Sequence, residues 1–372
     1  MKLIALKDVC KINMGQSPNS SSYNDYGDGM PFFQGNADFG ERYPITRVWC
    51  NTPTKIAQAE DILISVRAPI GALNYAKEEC CIGRGLAAIT PDRNKVSQDF
   101  IYWALKGKKA ELNDKGNGST FKAISRKILE ETMIPDINFE QQHKCAENLE
   151  KIYGIIQNRR KELLALDDLI KARFVEMFGD MIINPNGWGK VLLGEACDVR
   201  DGTHDSPKYF TEGYPLVTSK NVTGGKIDFA DCSLICEEDY NKINQRSKVD
   251  MGDILMPMIG TVGNPVIVDI EAEFAIKNVA LIKFRENSTV INSFVKALLE
   301  SDYFDRAVIS KVRGGTQKFI SLGDIRKLEI CLPPIAVQEQ FSDFAKQVDK
   351  SKLMFQKLHQ KLNILRQKAG NI

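Results

Sequence analysis

Apolar residues recur at spacings of three and four over two long stretches, and this is the strongest pattern in the chain. From about Val337 to Lys368 the rhythm runs through Phe341, Phe344, Val348, Ser351, Phe355, Leu358, Leu362, Leu365 and Ala369. From about Glu140 to Phe178 it runs through Cys145, Leu149, Ile152, Ile156, Leu163, Leu166 and Ile170, interrupted by Arg159. Such a stripe is the seam of a helix that lies along another helix. Neither stretch contains Pro, which would interrupt the hydrogen-bond ladder. At ~1.5 Å rise per residue, roughly 35 residues make a rod about 50 Å long. A rod with one apolar stripe needs a partner, and its own repeat is the nearest candidate. Setting Glu140-Gln141 over Glu339-Gln340 places the two seams in register.

The pattern ahead of each rod changes to short β runs. Ile62-Leu63-Ile64-Ser65-Val66 and Ile254-Leu255-Met256 are apolar and closed by Gly and Pro, and Leu86-Ala87-Ala88-Ile89 and Val279-Ala280-Leu281-Ile282 read the same way. A helix follows in each half, carrying Phe100, Ile101, Trp103, Ala104 and Leu105 or Phe294, Val295, Ala297, Leu298 and Leu299. These elements are one unit written twice. Leu6-Lys7-Asp8-Val9-Cys10 with Gly15 answers Leu193-Gly194-Glu195-Ala196-Cys197 with Gly202. Glu60-Asp61-Ile62 answers Gly252-Asp253-Ile254, and the segment from Thr120 to Ser125 answers that from Thr316 to Ser321. The fold class is therefore α/β in the α+β sense. Two similar mixed globules, 1–139 and 179–336, alternate with long helices at 140–178 and 337–370, each of which takes the other as its nearest coiled-coil partner. Asn184-Pro185-Asn186-Gly187 is read as the turn between first rod and second globule.

Composition adds limits. The 372 residues suffice for two cores, and the net charge of +2 means that any basic patch must arise by segregation. Nine Cys without paired CxxC spacing point to a reducing compartment and away from structural zinc. The N-terminal stretch has no secretory pattern and no run reaches ~20 apolar residues, so a soluble, cytoplasmic protein is expected. Catalytic signatures are missing: there is no GxxxxGK[ST], no HExxH among three His, no Glu-x-Lys, and no glycine loop for S-adenosylmethionine. The chain is read as non-catalytic and free of metal and cofactor.

Duplicated polar loops remain, rich in residues suited to nucleic acid. Gln and Asn can bond adenine edges, Arg and Lys guanine edges or phosphates, and hydroxyls either. In the first unit the candidates are Gln16, Ser17, Asn19, Gln34, Asn36, Arg67, Arg84, Lys115, Thr120 and Lys122. In the second they are Thr203, His204, Lys208, Lys220, Asn221, Lys277, Arg313, Thr316, Gln317 and Lys318. Their recurrence at equivalent places carries the signal.

On these paired loops, on the Gly-Asp-Ile-Leu segment, on Gly202-Thr203-His204 through Tyr209 and on the Pro-to-Glu-Gln entries into the rods, the chain resembles the specificity subunits of type I restriction–modification systems over its full length. The resemblance implies that each globule reads one half of a bipartite double-stranded DNA target, and that the two helices pair antiparallel as a coiled coil with a pseudo-twofold repeat and set the gap. It further implies docking of methyltransferase subunits, two in number, and of motor–nuclease subunits. S-adenosylmethionine, ATP and Mg would then belong to those partners. Gln16-Ser17-Pro18 departs from the Thr-His form, and recognition domains vary by design, so base-reading residues transfer least well. Two other readings stay open: a stand-alone methyltransferase or nuclease, and a coiled-coil adaptor that never touches DNA.

Overall fold

The computed structural model describes residues 2–117, 122–259, 262–271, 273–308 and 319–370, with 357–370 described by backbone alone. The chain divides into two units, Met1–Arg160 with Lys357–Ile372, and Lys161–Gln356. Candidates Thr120, Arg313, Thr316, Gln317 and Lys318 lie outside the described residues.

The first unit is built on a four-stranded antiparallel sheet in the order Cys10–Met14, Leu86–Pro91, Ile62–Ser65, Leu73–Tyr75. Every residue of Ile62–Ser65 is buried, because the sheet has a core on each face. Ile62 and Ile64 join one cluster with Phe100, Ile101 and Leu105 of the helix Gln98–Gly107, while Leu63 joins another with Phe33, Ile82 and Leu86. Alternation with a period of two is what sends neighbouring side chains to opposite cores. A short parallel pair, Met30–Phe33 on Cys80–Ile82, lies beyond the sheet, and Leu3–Ala5 pairs with Met133–Pro135.

The second unit repeats the four-stranded sheet in the same strand order. Its sheet runs Asp198–Asp201, Val279–Lys283, Ile254–Pro257, Val266–Ile267. Ile254 and Met256 join the core of the helix Asn292–Leu299, and Leu255 faces the opposite cluster. Tyr214–Val217 pairs in parallel with Ala275–Ile276, and Lys190–Leu192 pairs antiparallel with Glu329–Cys331. Among the described residues the first unit has no counterpart of the helix Glu237–Ser247, which the apolar pattern did not announce.

The two long helices span Phe139–Phe178 and Ile335–Gly370. Every named seam residue whose side chain is described is buried or half-buried. Within the second unit they run antiparallel: Asp167 meets Lys352 at 2.6 Å, and Phe174 and Phe178 stack edge-on against Phe341 at 5.6 and 5.4 Å. Gly179, at φ +70, stops the first helix in a left-handed step, its N–H bonded to Val175 O.

A buried glutamine begins each rod. Gln142, 3 % exposed, accepts the Ser97 N–H and donates to Ile137 O. Gln338, fully buried, accepts the Ile291 N–H and donates to Pro333 O and Thr289 O. These twins set the register between the repeats, so Gln142 corresponds to Gln338, three residues from the alignment of Glu140-Gln141 on Glu339-Gln340. The heptad stripe tolerated the slip because apolar positions three and four apart are interchangeable in a pattern, whereas a buried amide has one set of partners.

Candidate nucleic-acid interface

Backbone bonds gather the first unit's candidate loops onto one face. Gly15 donates to Leu86 O and Gln16 to Ile82 O, laying the loop after Cys10–Met14 against Gly83-Arg84-Gly85. A Cβ at Gly15 would fall on the Gly83 carbonyl oxygen, so only glycine allows this approach. Gly83 donates to Phe33 O and Gly85 to Gln34 O, which brings in Gln34 and Asn36. Val66 donates to Gly85 O, Ile124 to Val66 O and Ala68 to Lys122 O, adding Arg67 and Lys122. Gln16, Gln34, Arg67, Arg84 and Lys122 are all exposed there.

Other candidates have local jobs. Ser17 Oγ accepts the Arg84 N–H at 3.3 Å, and Asn19 caps a 3-10 turn by accepting from Ser21 N and Oγ, both at 3.1 Å. Asn36 is half-buried in the turn whose Asp38 carboxylate accepts the Gln34 and Gly35 N–H groups. Lys115 is exposed with its Nζ 2.6 Å from Glu111.

The second unit builds the same platform. Gly202 donates to Val279 O, Thr203 to Ile276 O and Asn278 to Thr203 O, and a Cβ at Gly202 would fall on the Ile276 carbonyl. Lys277 donates through its N–H to Val217 O and through Nζ to Ser206 Oγ at 2.6 Å. Lys208 and Lys220 are exposed. Asn221, only 3 % exposed, accepts from Thr218 N and Oγ1 and donates to Asp228 O. It therefore shapes the turn and presents no group outward; the half-buried Asp38 braces the equivalent turn in the first unit.

His204 is held at both ring nitrogens. Nε2 faces Asp201 Oδ2 and Nδ1 faces Asn278 Oδ1, each at 2.8 Å. The Asn278 bond first, then that to Asp201, raises its pKa above the ordinary 6.5. Asp201 is buried and also bound by Arg246 from the helix Glu237–Ser247. A cavity of about 230 Å³ lies between this helix and the 201–207 loop, lined by Thr203, Ser206, Lys242 and Arg246 among others. Sequence reasoning left Asp201 and Arg246 out of the site. The available signal was the capping pattern of that helix, with Glu237, Glu238 and Asp239 in its first turn and Arg246 in its last.

Burial pushes the thiols of Cys10, Cys80 and Cys197 up to about 12, far from nucleophilic use. Among the described residues no cluster of three His, Cys, Asp or Glu could hold a metal, and no helix is long and apolar enough to cross a membrane.

Comparison with known proteins decides the class. The family model for the type I restriction modification DNA specificity domain matches residues 1–166 and again 185–365. The chain belongs to this family. It is 47% identical over 152 residues to the "Putative type I restriction enzyme MjaX specificity subunit" of Methanocaldococcus jannaschii, which covers 41% of the chain and 36% of that protein. The chain thus spans little more than a third of that relative's length. With the type I restriction enzyme EcoBI specificity subunit of Escherichia coli it shares 21% over 372 residues, covering 91% and 77%. The crystal structure of a type I restriction-modification system S subunit from M. genitalium superposes over 99% of the chain and 94% of its own, with TM-score 0.57 at 16% identity, so the fold is shared. Both curated relatives are named as specificity subunits, and the solved structure as an S subunit.

Proposed function

We propose that this chain is the non-catalytic subunit that reads DNA sequence in a type I restriction–modification enzyme, each unit recognising one half of a bipartite duplex target. The observation that carries the proposal is the duplicated platform. In both units a glycine, Gly15 or Gly202, lets a polar loop lie against the turn before the central strand, with exposed Gln, Arg and Lys residues there in the first unit and exposed His and Lys residues in the second. Such groups meet base edges and phosphates. A split site needs two readers at fixed separation, and long paired helices are the stiff element that supplies it. The same helices dock the methyltransferase subunits, two of them, and motor–nuclease subunits join the assembly in the cytoplasm. S-adenosylmethionine, ATP and Mg reside on those partners.

With a net charge of +2 the chain alone neutralises few phosphates. Alone it binds duplex DNA weakly, and with methyltransferase subunits it binds tightly and in a salt-dependent way. Filter binding of the assembled complex to target and scrambled duplexes tests this. Selective retention of a bipartite site is expected; binding with no sequence preference would overturn the proposal.

A further inference from the structure

The side chain at the centre of the second platform is tied down on both sides, and its counterpart in the first unit is not titratable. The backbone register equates Gly15 with Gly202, Gln16 with Thr203, and hence Ser17 with His204. Ser17 Oγ accepts the Arg84 N–H across to the Gly83-Arg84-Gly85 turn. His204 spans the same gap, from Asp201 at the end of the sheet strand to Asn278 in the turn. We propose that His204 is a positioning residue that braces the 203–208 loop against the 277–278 turn, so that reading of the second unit's half-site, and of that half-site alone, depends on pH.

This rests on the loops being the DNA-facing surface. Two oxygen acceptors facing two ring nitrogens suit the imidazolium, which donates from both; neutral imidazole donates from one only. With no ring nitrogen left over, His204 is ill-placed to bond a base edge. Asp201 is held in turn by Arg246, Lys277 Nζ is bound to Ser206, and Asp205, Asp239 and Lys242 line the cavity behind the loop. The brace is complete below the folded-state pKa of His204, which its partners raise, and weakens as pH rises through that value. Asn278, at φ +54, also accepts from Ser219 Oγ through its carbonyl, so the turn it anchors is shared with the neighbouring 3-10 segment.

The test uses the complex with methyltransferase subunits and duplexes altered in one half-site or the other, each half being assigned to its unit by exchanging Gly15–Tyr43. From about pH 6 to 8.5 the wild-type penalty for altering the second unit's half-site should fall roughly fivefold, while the first unit's stays level. His204→Gln should give a level profile with the same preferred sequence, and Asp201→Asn should flatten the profile too. A level wild-type profile with discrimination intact would overturn the brace and leave DNA reading standing, and a changed base preference in His204→Gln would make His204 a reader instead. Absence of discrimination at either half and any pH would instead overturn the reading of the loops. Should the variants not fold, the wild-type comparison of the two half-sites decides alone.

Discussion

Gln142 and Gln338 show how single residues hold the repeat together. Each is buried and joins the start of a rod to the helix-leading loop of its own unit by bonds of 2.7 to 3.0 Å. Gln142→Ala leaves the Ser97 N–H and the Ile137 carbonyl unpaired, which should cost about 2–4 kcal/mol in urea unfolding; a loss below ~0.5 kcal/mol would deny the amide this role. Asp61 offers a test in pH. Its carboxylate accepts the Gln58 N–H at 2.9 Å, and burial raises its pKa against the opposing bond from Thr90. The folded state therefore keeps this proton to higher pH than the unfolded chain. The stabilising contribution is present below the unfolded value near ~4 and is lost as pH rises through the folded pKa. The stability of wild type minus that of Asp61→Asn, which keeps an acceptor and cannot ionise, should thus decline with rising pH. A level difference contradicts the sign. At Gly15 or Gly202, alanine must move a backbone carbonyl, so each variant should weaken discrimination at its own unit's half-site only.

Elements were legible in proportion to their length and to how local their causes are. The two rods stood out because a seam repeated over many turns survives any single exception, including Arg159. Ile62–Ser65 and Ile254–Pro257 were legible as fully apolar runs. Strands such as Ile56–Ala57 and Lys226–Ile227 are too short to show a period, and they form because the chain on either side is already fixed. The helix Glu237–Ser247 was missed because it buries little of its own surface, Ser247 being its one buried residue. In the site, exposure of Gln16, Arg67 and Arg84 agrees with their polarity, whereas the restraint on His204 comes from Asn278, 74 residues away, and no local pattern encodes it. The packing of the rods makes its own prediction. Phe178 is buried among Phe174, Phe294 and Phe341, so Phe178→Ala should cost roughly 3–5 kcal/mol. Lys352→Ala, at a partly exposed ion pair, should cost about 1 kcal/mol or less.

For the whole molecule, duplication is the feature that joins structure to function. The same four-strand order, the same parallel pair and the same glycine-dependent platform occur in each unit, while the loop residues between those anchors differ. A shared plan with divergent loops is what the proposed reading of two unlike half-sites requires. If the rods fix the gap, inserting one turn, about four residues, near Ile156 and near Phe355 together should change the preferred spacing and leave both half-sites as they were. The claim that each unit reads its own half is tested most directly by sequencing methylated bases in a host that carries the complete system, with and without a foreign loop in place of Gly15–Tyr43. The account predicts that the exchange replaces one half of the methylated site and preserves the other half and the gap; an unchanged site, or the loss of both halves with methylation continuing elsewhere, would contradict it.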